Sequence, residues 1–397
     1  MKKLSDQDKK LFERNILVMY LISALFYGRF FLPVLALFYI ASQVPLEQFA
    51  IIISVFSLSI LLLEIPTGVF TDLIGKKKTM ILVGLMYIIE LFILAFFDGF
   101  WPFLIAKIIS GIGVSLGSGT YSSLIYDSLK RLKRQKENKT VSGKMAFVAY
   151  LSLFFIFIIG AYLFSIYYKL PAYFSLAFMI FGFILTFLLK EPYEPIKKFN
   201  FKNSYLHFKQ GISYFFKKPY LIYLGFFTLI IGSVINIILI ISSSYYELIL
   251  VPVSLIGVVA AVGTLLSAYS SKTAHKWEKI FGEKKSLLLV QLSVLVATFF
   301  ISLMIPKFGI LFFLLISLTF GFYSVITGDY VNRHAKTSHR TTMLSINNMF
   351  TNIGIFFLLP LLGYSIKSFG MSKSFFFLFI LICFYLLVLF LFARKLK

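Results

Sequence analysis

The sequence predicts an all-α integral membrane protein with twelve transmembrane helices, arranged as two bundles of six helices. Three observations lead to this fold class. The 397 residues are 59% hydrophobic and 14% charged, with a mean hydropathy of +0.90, whereas a soluble domain is about half apolar and about a quarter charged. Twelve apolar runs are long enough to cross a bilayer, and the longest polar connection follows the sixth run.

The apolar runs are predicted to be helices rather than the strands of a membrane barrel. A helix needs about 20 apolar residues to cross a hydrocarbon core ~30 Å thick. Barrel strands would alternate apolar and polar residues in ~10-residue segments, and the last run, which contains FFFLFILICFYLLVLFLF, does not alternate. In chain order, the predicted spans are 16–40, 47–69, 79–98, 101–127, 143–168, 170–190, 220–247, 253–273, 286–305, 308–331, 342–366 and 373–393.

The connections between the spans predict their orientation. With the N-terminus placed in the cytoplasm, the inside segments hold 33 of the 39 lysines and arginines, and the outside loops hold only Lys169, Lys307, Lys367 and Lys373. This distribution follows the positive-inside pattern. Both termini are therefore expected in the cytoplasm. The formal net charge of +23 is attributed to topology signals, and no nucleic-acid partner is expected.

The polar connection after the sixth span divides the chain into two halves. The predicted units are residues 1–190, a cytoplasmic linker over 191–219, and residues 220–397. Within the linker, HFKQGISYFFKK is predicted to form a short surface helix. The loop LIGKKKTMIL of the first half recurs as IFGEKKSLLL at the matching place of the second half, which indicates an internal duplication.

The reactive residues do not predict catalysis or metal binding. Cys383 is the only cysteine, and the histidines, at positions 207, 275, 334 and 339, all lie outside the apolar runs. A buried histidine site and a cysteine metal site are therefore not expected. The sequence predicts no catalytic residue, no metal and no cofactor.

The loop after the second span carries a spaced motif, GVFTDLIGKKK, from Gly68 to Lys78. It resembles the signature loop of the major facilitator superfamily of secondary transporters, G-x-x-x-D-x-x-G-[RK]-[KR]-[RK]. Two further stretches resemble the same family: KIISGIGVSLGSG in the fourth span, and GDYVNRHAKTSHRTTMLSINNMF, which is similar to the tenth-to-eleventh connection of bacterial drug-efflux proteins and uncharacterised permeases. The resemblance implies the major facilitator fold, in which a pseudo-twofold axis relates the two bundles.

The same resemblance implies a conformational latch, which would hold the two halves together when the cavity faces outward. Its residues would be Gly68, Asp72, Gly75, Lys76 and, at the end of the fourth span, Asp127. From the residues themselves, the glycines permit a tight turn and close helix approach, and Asp72 can pair with a lysine or a helix N-terminus. The alternative is a solvated turn whose lysines are only topology signals.

Three ionisable residues lie near the middle of the predicted spans, where charges are costly and indicate function. Counting residues along each helix places Arg29 ~20 Å, Glu90 ~16 Å and Lys107 ~21 Å from the cytoplasmic edge, so the three share one level. The resemblance implies that the first and fourth helices line the cavity, which favours Arg29 and Lys107 over Glu90. The alternative is a structural ion pair between helices. Asn236, in the seventh span, is a neutral fourth candidate.

These features predict a secondary active transporter that moves a small molecule across the cytoplasmic membrane of a bacterium by alternating access. The first expectation is efflux of an amphipathic compound by a monomer, with protons as a candidate coupling ion. The alternative is uptake or exchange of an anionic metabolite, because Arg29 and Lys107 outnumber Glu90. A membrane-embedded enzyme is disfavoured. The stretch FVAYLSLFFIFIIGAYLF of the fifth span, with Gly160 alone and no proline, departs from the motif that the family's antiporters often carry there.

Overall fold

The computed structural model describes residues 6–193, 201–306, 308–335 and 340–395, and every regular element in these ranges is helical. In chain order the α-helices are α1 (Asp6–Phe26), α2 (Leu35–Ala41), α3 (Leu46–Ile74), α4 (Lys76–Phe96), α5 (Phe100–Arg131), α6 (Asn138–Ile166), α7 (Leu170–Thr186), α8 (Phe201–Phe216), α9 (Pro219–Phe227), α10 (Ser233–Leu248), α11 (Val253–Ser302), α12 (Gly309–His334), α13 (Arg340–Phe369) and α14 (Met371–Lys395).

Nine helical stretches of the described chain are long and apolar enough to cross a membrane, and two shorter apolar helices, Leu32–Ala41 and Leu170–Thr186, accompany them. The all-helical membrane class is therefore confirmed, whereas the count of twelve spans stays a prediction. One reason for the lower count is that the predicted eighth and ninth spans lie in the single helix α11. They are separated there only by Gly282, whose φ of 74° breaks the helical geometry.

The first predicted span, 16–40, is wrong as a continuous helix. Helix α1 ends at Phe26, and a 3₁₀ turn over Leu32–Val34 precedes α2. Pro33 lies in the first turn of that 3₁₀ segment. Because proline lacks an N–H and clashes with the preceding turn, an α-helix cannot run through it unbroken. The chain between Phe26 and Leu32 is therefore non-helical in the middle of the span.

The seventh predicted span is also irregular at its middle. Between α9 and α10, residues Thr228–Gly232 form a π-helical turn. Such turns insert one residue into the α-helical register and are frequent at functional sites. Gly28 and Gly232 stand at the same distance from the starts of the first and seventh predicted spans, so both halves interrupt the helix at corresponding places.

Helices pack within each half of the chain and across a boundary between the halves. Within residues 6–193, α3, α4 and α5 pack together and α1 packs on α6 and α7; within residues 201–395, α11 packs on α12 and α14, and α10 on α13. Contacts between the halves join α3 to α13, α6 to α11, and α2 to α10. We call the side on which α1 begins the N-terminal side, and the opposite side the far side.

Hydrogen bonds and ion pairs show which elements meet on each of these two sides. On the N-terminal side, Arg14 donates to the Leu188 carbonyl oxygen (2.6 Å), at the end of α7. On the far side, Lys169, which is predicted to lie in an outside loop, is only 3% exposed. Its Nζ donates to the Leu94 and Phe97 carbonyl oxygens (2.9 and 2.7 Å) and pairs with Asp98 (2.7 Å). It therefore ties the α4–α5 turn to the α6–α7 turn.

The far side also carries close contacts between the two halves. The Ala36 N–H donates to Ser243 Oγ (3.1 Å), which joins α2 to α10. Glu47, in the first turn of α3, pairs with Lys367 near the end of α13 (Nζ–Oε1 2.8 Å). A Cβ placed on Gly363 would lie 2.6 Å from the Ala50 Cβ, so α3 and α13 approach closely there. The halves are therefore closed against each other on the far side.

Candidate functional site

Arg29, Glu90 and Lys107 meet in one buried cluster, which we call the charge triad. Arg29 Nη2 lies 2.8 Å from Glu90 Oε2, and Lys107 Nζ lies 2.7 Å from Glu90 Oε1. The Glu90 side chain is fully buried, whereas 8% of the Lys107 and 17% of the Arg29 side chain are exposed. Ser110 provides a further hydrogen bond to Glu90. The prediction that the three charges share one level agrees with this arrangement.

Each member of the triad comes from a different element. Glu90 lies on α4, Lys107 lies two turns into α5, and Arg29 lies in the non-helical segment after α1. That segment is held by its neighbours, because the Phe30 N–H donates to Ser175 Oγ of α7 (2.8 Å). On the other side, a Cβ at Gly160 of α6 would overlap the Phe30 carbonyl oxygen. Gly160 therefore makes room for the segment that carries Arg29.

Aromatic rings surround the two cations. Arg29 Cζ lies 4.4 Å from the centroid of the Tyr87 ring, and the Tyr87 hydroxyl is hydrogen-bonded to Tyr121. Lys107 Nζ lies 5.4 Å from the Phe56 ring and 5.8 Å from the Phe31 ring. Ring faces attract cations electrostatically, so they partly replace the water that the buried charges lack.

The triad carries one negative and two positive charges, which leaves a net charge of +1. Buried charges are tolerated when they are paired and hydrogen-bonded. Arg29 is the least satisfied member, since its Nε is buried and has no hydrogen-bond partner among the described residues. The arrangement can therefore accept an anionic group at Arg29. It offers no metal site, because the described residues contain no cluster of three potential His, Cys, Asp or Glu ligands.

The structure places Asn236 apart from the triad. Its Nδ2 donates to the Gly232 carbonyl oxygen (2.8 Å), one turn earlier, where the π-helical turn disturbs the normal hydrogen bonding. Asn236 is half-buried, and no described hydrogen bond joins it to another helix. The amide therefore stabilises the irregular turn of its own helix, and its assignment to the substrate cavity stays a prediction.

The signature loop forms a tight turn on the N-terminal side, as its glycines predict. Gly75 has φ 91°, a conformation that side chains rarely adopt. Lys76, at the start of α4, pairs with Asp127 of α5. The Lys77 N–H donates to Glu191 Oε2 (2.8 Å), which connects the loop to the start of the linker. The loop is thus fastened within the first half.

Two expectations for this loop differ from the structure. Among the described residues no lysine forms an ion pair with Asp72, because Lys76 is taken up by Asp127. Nearby protein atoms displace water from the Asp72 carboxyl and so raise its pKa. The positive charge of Lys76 lowers this pKa, and the negative charge of Asp127 raises it further. A Cβ built on Gly68 meets no described atom within 4 Å, so in this conformation Gly68 does not mediate a close helix approach.

Glu64, which is not among the site residues predicted from the sequence, lies at the boundary between the halves. Glu64 is half-buried on α3 and hydrogen-bonded to Ser345 of α13. None of the described ion pairs involves it. Pro66 lies two residues further inside the same helix, where it removes a backbone donor. The available signal was an acid inside the second predicted span, which defaults to a functional hypothesis.

Comparison with known proteins agrees with this geometry. The profile of the Major Facilitator Superfamily matches residues 16–356, and no curated protein matches the sequence. Solved structures with the same fold include a variant of the nucleoside transporter NupG, with a TM-score of 0.81 and 13% identity over 97% of this chain and 100% of that chain. A D-xylose–proton symporter gives 0.74 and 12% over 95% and 96%.

A third solved structure is a bacterial homologue of the human lysosomal transporter Spinster, in an inward-facing and unoccupied conformation. It has a TM-score of 0.76 and 14% identity over 98% of both chains. At such low identities these structures show the common fold, whereas the profile covers most of the sequence. The chain therefore belongs to the Major Facilitator Superfamily, and the predictions of a membrane transporter and of no enzymatic role are confirmed.

Proposed function

We propose that this transporter moves a small molecule by alternating access, and that the charge triad contributes to its substrate site. The observation that supports access from the N-terminal side is the closed far side, where Glu47 pairs with Lys367 and Ala36 bonds to Ser243. A transporter of this kind exposes its site to one side while the other side is closed. With the termini in the cytoplasm, the conformation is open toward the cytoplasm.

The triad favours a substrate that carries a negative charge. Two cations share one carboxylate, and a buried net charge is costly unless something offsets it. A carboxylate or phosphate group of the substrate can contact the exposed part of the Arg29 side chain, which is 17% exposed, and supply that charge. Of the two substrate classes that the sequence leaves open, an anionic metabolite therefore has more support than a neutral amphipathic compound. An exported compound that is both amphipathic and anionic would fit the charge triad and also the first expectation from the sequence.

The polar groups at the boundary between the two halves favour protons as the coupling ion. Glu64 is an acid inside a span without a described cationic partner, and its hydrogen bond to Ser345 crosses between the halves. When the two halves change their relative position, the contact between Glu64 and Ser345 changes as well, which alters the surroundings of the carboxyl group. Glu64 is thus placed to exchange a proton once in each cycle, whereas Glu90 is held by two cations.

The loop of Gly68, Asp72, Gly75, Lys76 and Asp127 is proposed to act as the latch of the outward-open state. In the present conformation Lys76 and Asp127 hold the loop on the first half, and Asp72 forms no ion pair with a described lysine. Asp72 would find its partner only when the second half swings onto the N-terminal side. This proposal requires two conformations, and it is tested by a substitution at Asp72 below.

The role of Arg29 is tested by ligand-induced thermal stabilisation of the detergent-solubilised full chain. A panel of carboxylates and phosphate esters, with matched neutral analogues, is screened for compounds that raise the melting temperature. For an anionic compound that does so, Arg29→Gln should weaken binding at least about 30-fold, since loss of one partner of a buried charged hydrogen bond costs ~2 kcal/mol or more. Arg134→Gln, at an arginine exposed in the α5–α6 turn, is the matched control.

A purely structural role for Arg29 gives a different pattern. Arg29→Gln would then lower the melting temperature without ligand, and the combination with Glu90→Gln would recover much of that loss. Stabilisation by the ligand that is equal in Arg29→Gln and in the unaltered protein would remove Arg29 from the site. Stabilisation by neutral compounds alone would contradict an anionic substrate.

A further inference from the structure

A groove on the second half lies apart from the charge triad. It is a cavity of about 260 Å³ between the two parts of α11 and α12. Tyr269, Thr273, Trp277 and Phe281 follow one another at four-residue spacing and form one wall. Leu289, after the Gly282 break, contributes to the opposite wall. All the walls belong to the second half, so the groove does not open between the halves.

The groove is apolar and opens on the outer surface of the helices. Tyr269 is 59% exposed, Trp277 is 44% exposed, and the Trp277 and Phe281 rings stack at 6.1 Å with an angle of 8°. Two of its hydroxyl groups bond to backbone oxygens, since Ser270 donates to the Leu318 carbonyl oxygen (2.7 Å) and Thr273 to the Tyr269 carbonyl oxygen (2.9 Å). Aromatic and aliphatic side chains make up most of the remaining lining, which fits a hydrocarbon chain.

A cluster of lysines surrounds the end of the groove at the Gly282 turn. Lys272, Lys276, Lys279, Lys284 and Lys285 are all exposed, and none forms a described ion pair. The neighbouring acids are engaged elsewhere: Glu278 pairs with Arg333, and Glu283 bonds to Tyr220 and His334. Five positive charges within fourteen residues of sequence thus lack an ion-pair partner among the described residues.

The spacing places some of these lysines beside the groove walls. Residues three and four apart lie on one face of a helix. Lys276 follows Thr273 by three residues, and Lys285 precedes Leu289 by four. Lysine can extend its ammonium group to the water interface while its methylene groups cover apolar surface. Both parts of α11 therefore bring a cation to the mouth of an apolar groove.

We propose that this groove binds an anionic phospholipid of the surrounding bilayer. One acyl chain lies against Tyr269, Trp277 and Phe281, and the phosphate contacts the lysines at the Gly282 turn. Basic pockets between helices at the membrane surface bind anionic headgroups in this way. A second copy of the chain fits less well, because a twofold contact would bring the same unpaired lysines against each other.

The two tryptophans of the sequence make a direct test possible. In a Trp101→Phe background, Trp277 is the only tryptophan, and its fluorescence reports on the groove. The full chain is titrated in detergent with phosphatidylglycerol or phosphatidylcholine, each carrying brominated acyl chains that quench tryptophan on contact. Phosphatidylglycerol should quench at a concentration at least about five-fold lower, which corresponds to the ~1 kcal/mol that one lysine contributes near an anionic surface.

Two triple variants separate a specific site from general charge attraction. Replacing Lys276, Lys284 and Lys285 by Gln should abolish the preference for phosphatidylglycerol while phosphatidylcholine still quenches. The control replaces Lys133, Lys136 and Lys139, three exposed lysines of the α5–α6 turn, and should keep the preference. Equal quenching by the two lipids, or equal effects of the two triple variants, would overturn the proposal.

Discussion

The position of Glu90 in the sequence predicts its depth in the membrane but not its contacts. Counting residues from the predicted span ends places three charges at one depth, and the structure brings all three into contact. Counting could not show that both cations share one carboxylate, because rotation about each helix axis depends on packing. The non-helical backbone at Arg29 was also beyond a count that assumes regular helices.

Glu64 is expected to couple proton movement to transport. Glu64→Gln removes the titrating proton but keeps a group that can bond to Ser345. Transport driven by a pH gradient in proteoliposomes should fall at least about ten-fold, whereas exchange of substrate between two equal pools should persist. Glu247→Gln, at an exposed acid near the end of α10, is the control and should change neither. Normal gradient-driven transport by Glu64→Gln would exclude this role.

Asp72 is expected to lower stability in the present conformation and to be needed for the cycle. Crowding raises its pKa above the ordinary 3.8, so the folded protein holds the proton more tightly than the unfolded chain does. This contribution to stability is present at low pH and is lost as the pH rises through the folded-state pKa. Asp72→Asn should therefore raise the melting temperature at neutral pH, and the difference should shrink as the pH approaches 3.8.

The same variant should transport poorly, because it weakens the contact that we propose Asp72 makes in the outward-open conformation. Paired measurements of melting temperature and transport in Asp72→Asn check both parts of this prediction. Normal transport with an unchanged ratio of inward-open to outward-open molecules would mean that the loop is only a turn with topology lysines.

At the scale of helices, apolar runs predict where helices lie but not where they are interrupted. Gly28 and Pro33 were available signals for the break after α1, since both disfavour a continuous helix. The π-helical turn at Thr228–Gly232 has no such signal, because TLIIG reads as ordinary apolar helix. The sequence also does not show why a glycine is needed at position 160. The reason is the Phe30 backbone, which lies far away in the sequence and contacts Gly160 only in the folded chain.

Gly160 is expected to be essential for seating the segment that carries Arg29. In Gly160→Ala the new methyl group would overlap the Phe30 carbonyl oxygen, and overpacking of this kind costs about 1–3 kcal/mol. The melting temperature should fall, and transport should fall with it because Arg29 is displaced.

Gly143→Ala, on the same helix α6, is the matched control. A Cβ there meets no described atom within 4 Å, and alanine favours helix over glycine by up to about 1 kcal/mol. Its melting temperature should stay the same or rise. Equal effects of the two substitutions would show that the contact with Phe30 does not constrain the segment.

For the whole molecule, lysine and arginine positions predict which side of the membrane each loop occupies. In a Cys383→Ser background, which removes the only cysteine, single cysteines are introduced at Lys209 in α8 and at Leu250, which is 87% exposed on the far side. A membrane-impermeant thiol reagent should label Leu250→Cys in intact cells and Lys209→Cys only after permeabilisation. The reverse pattern would invert the predicted topology.

The ion pair between Glu47 and Lys367 gives the far side a sensitivity to dissolved salt. The Lys367 side chain is 60% exposed, so mobile ions reach the pair, and the Debye length falls from ~8 Å at 0.15 M to ~3 Å at 1 M. Buried contacts such as Ala36 with Ser243 are screened much less. Added salt on the far side therefore weakens the ion pair between Glu47 and Lys367 and leaves the hydrogen bond between Ala36 and Ser243 intact. With the predicted orientation, we expect the ratio of the two proposed conformations to depend on the ionic strength of the medium outside the cell.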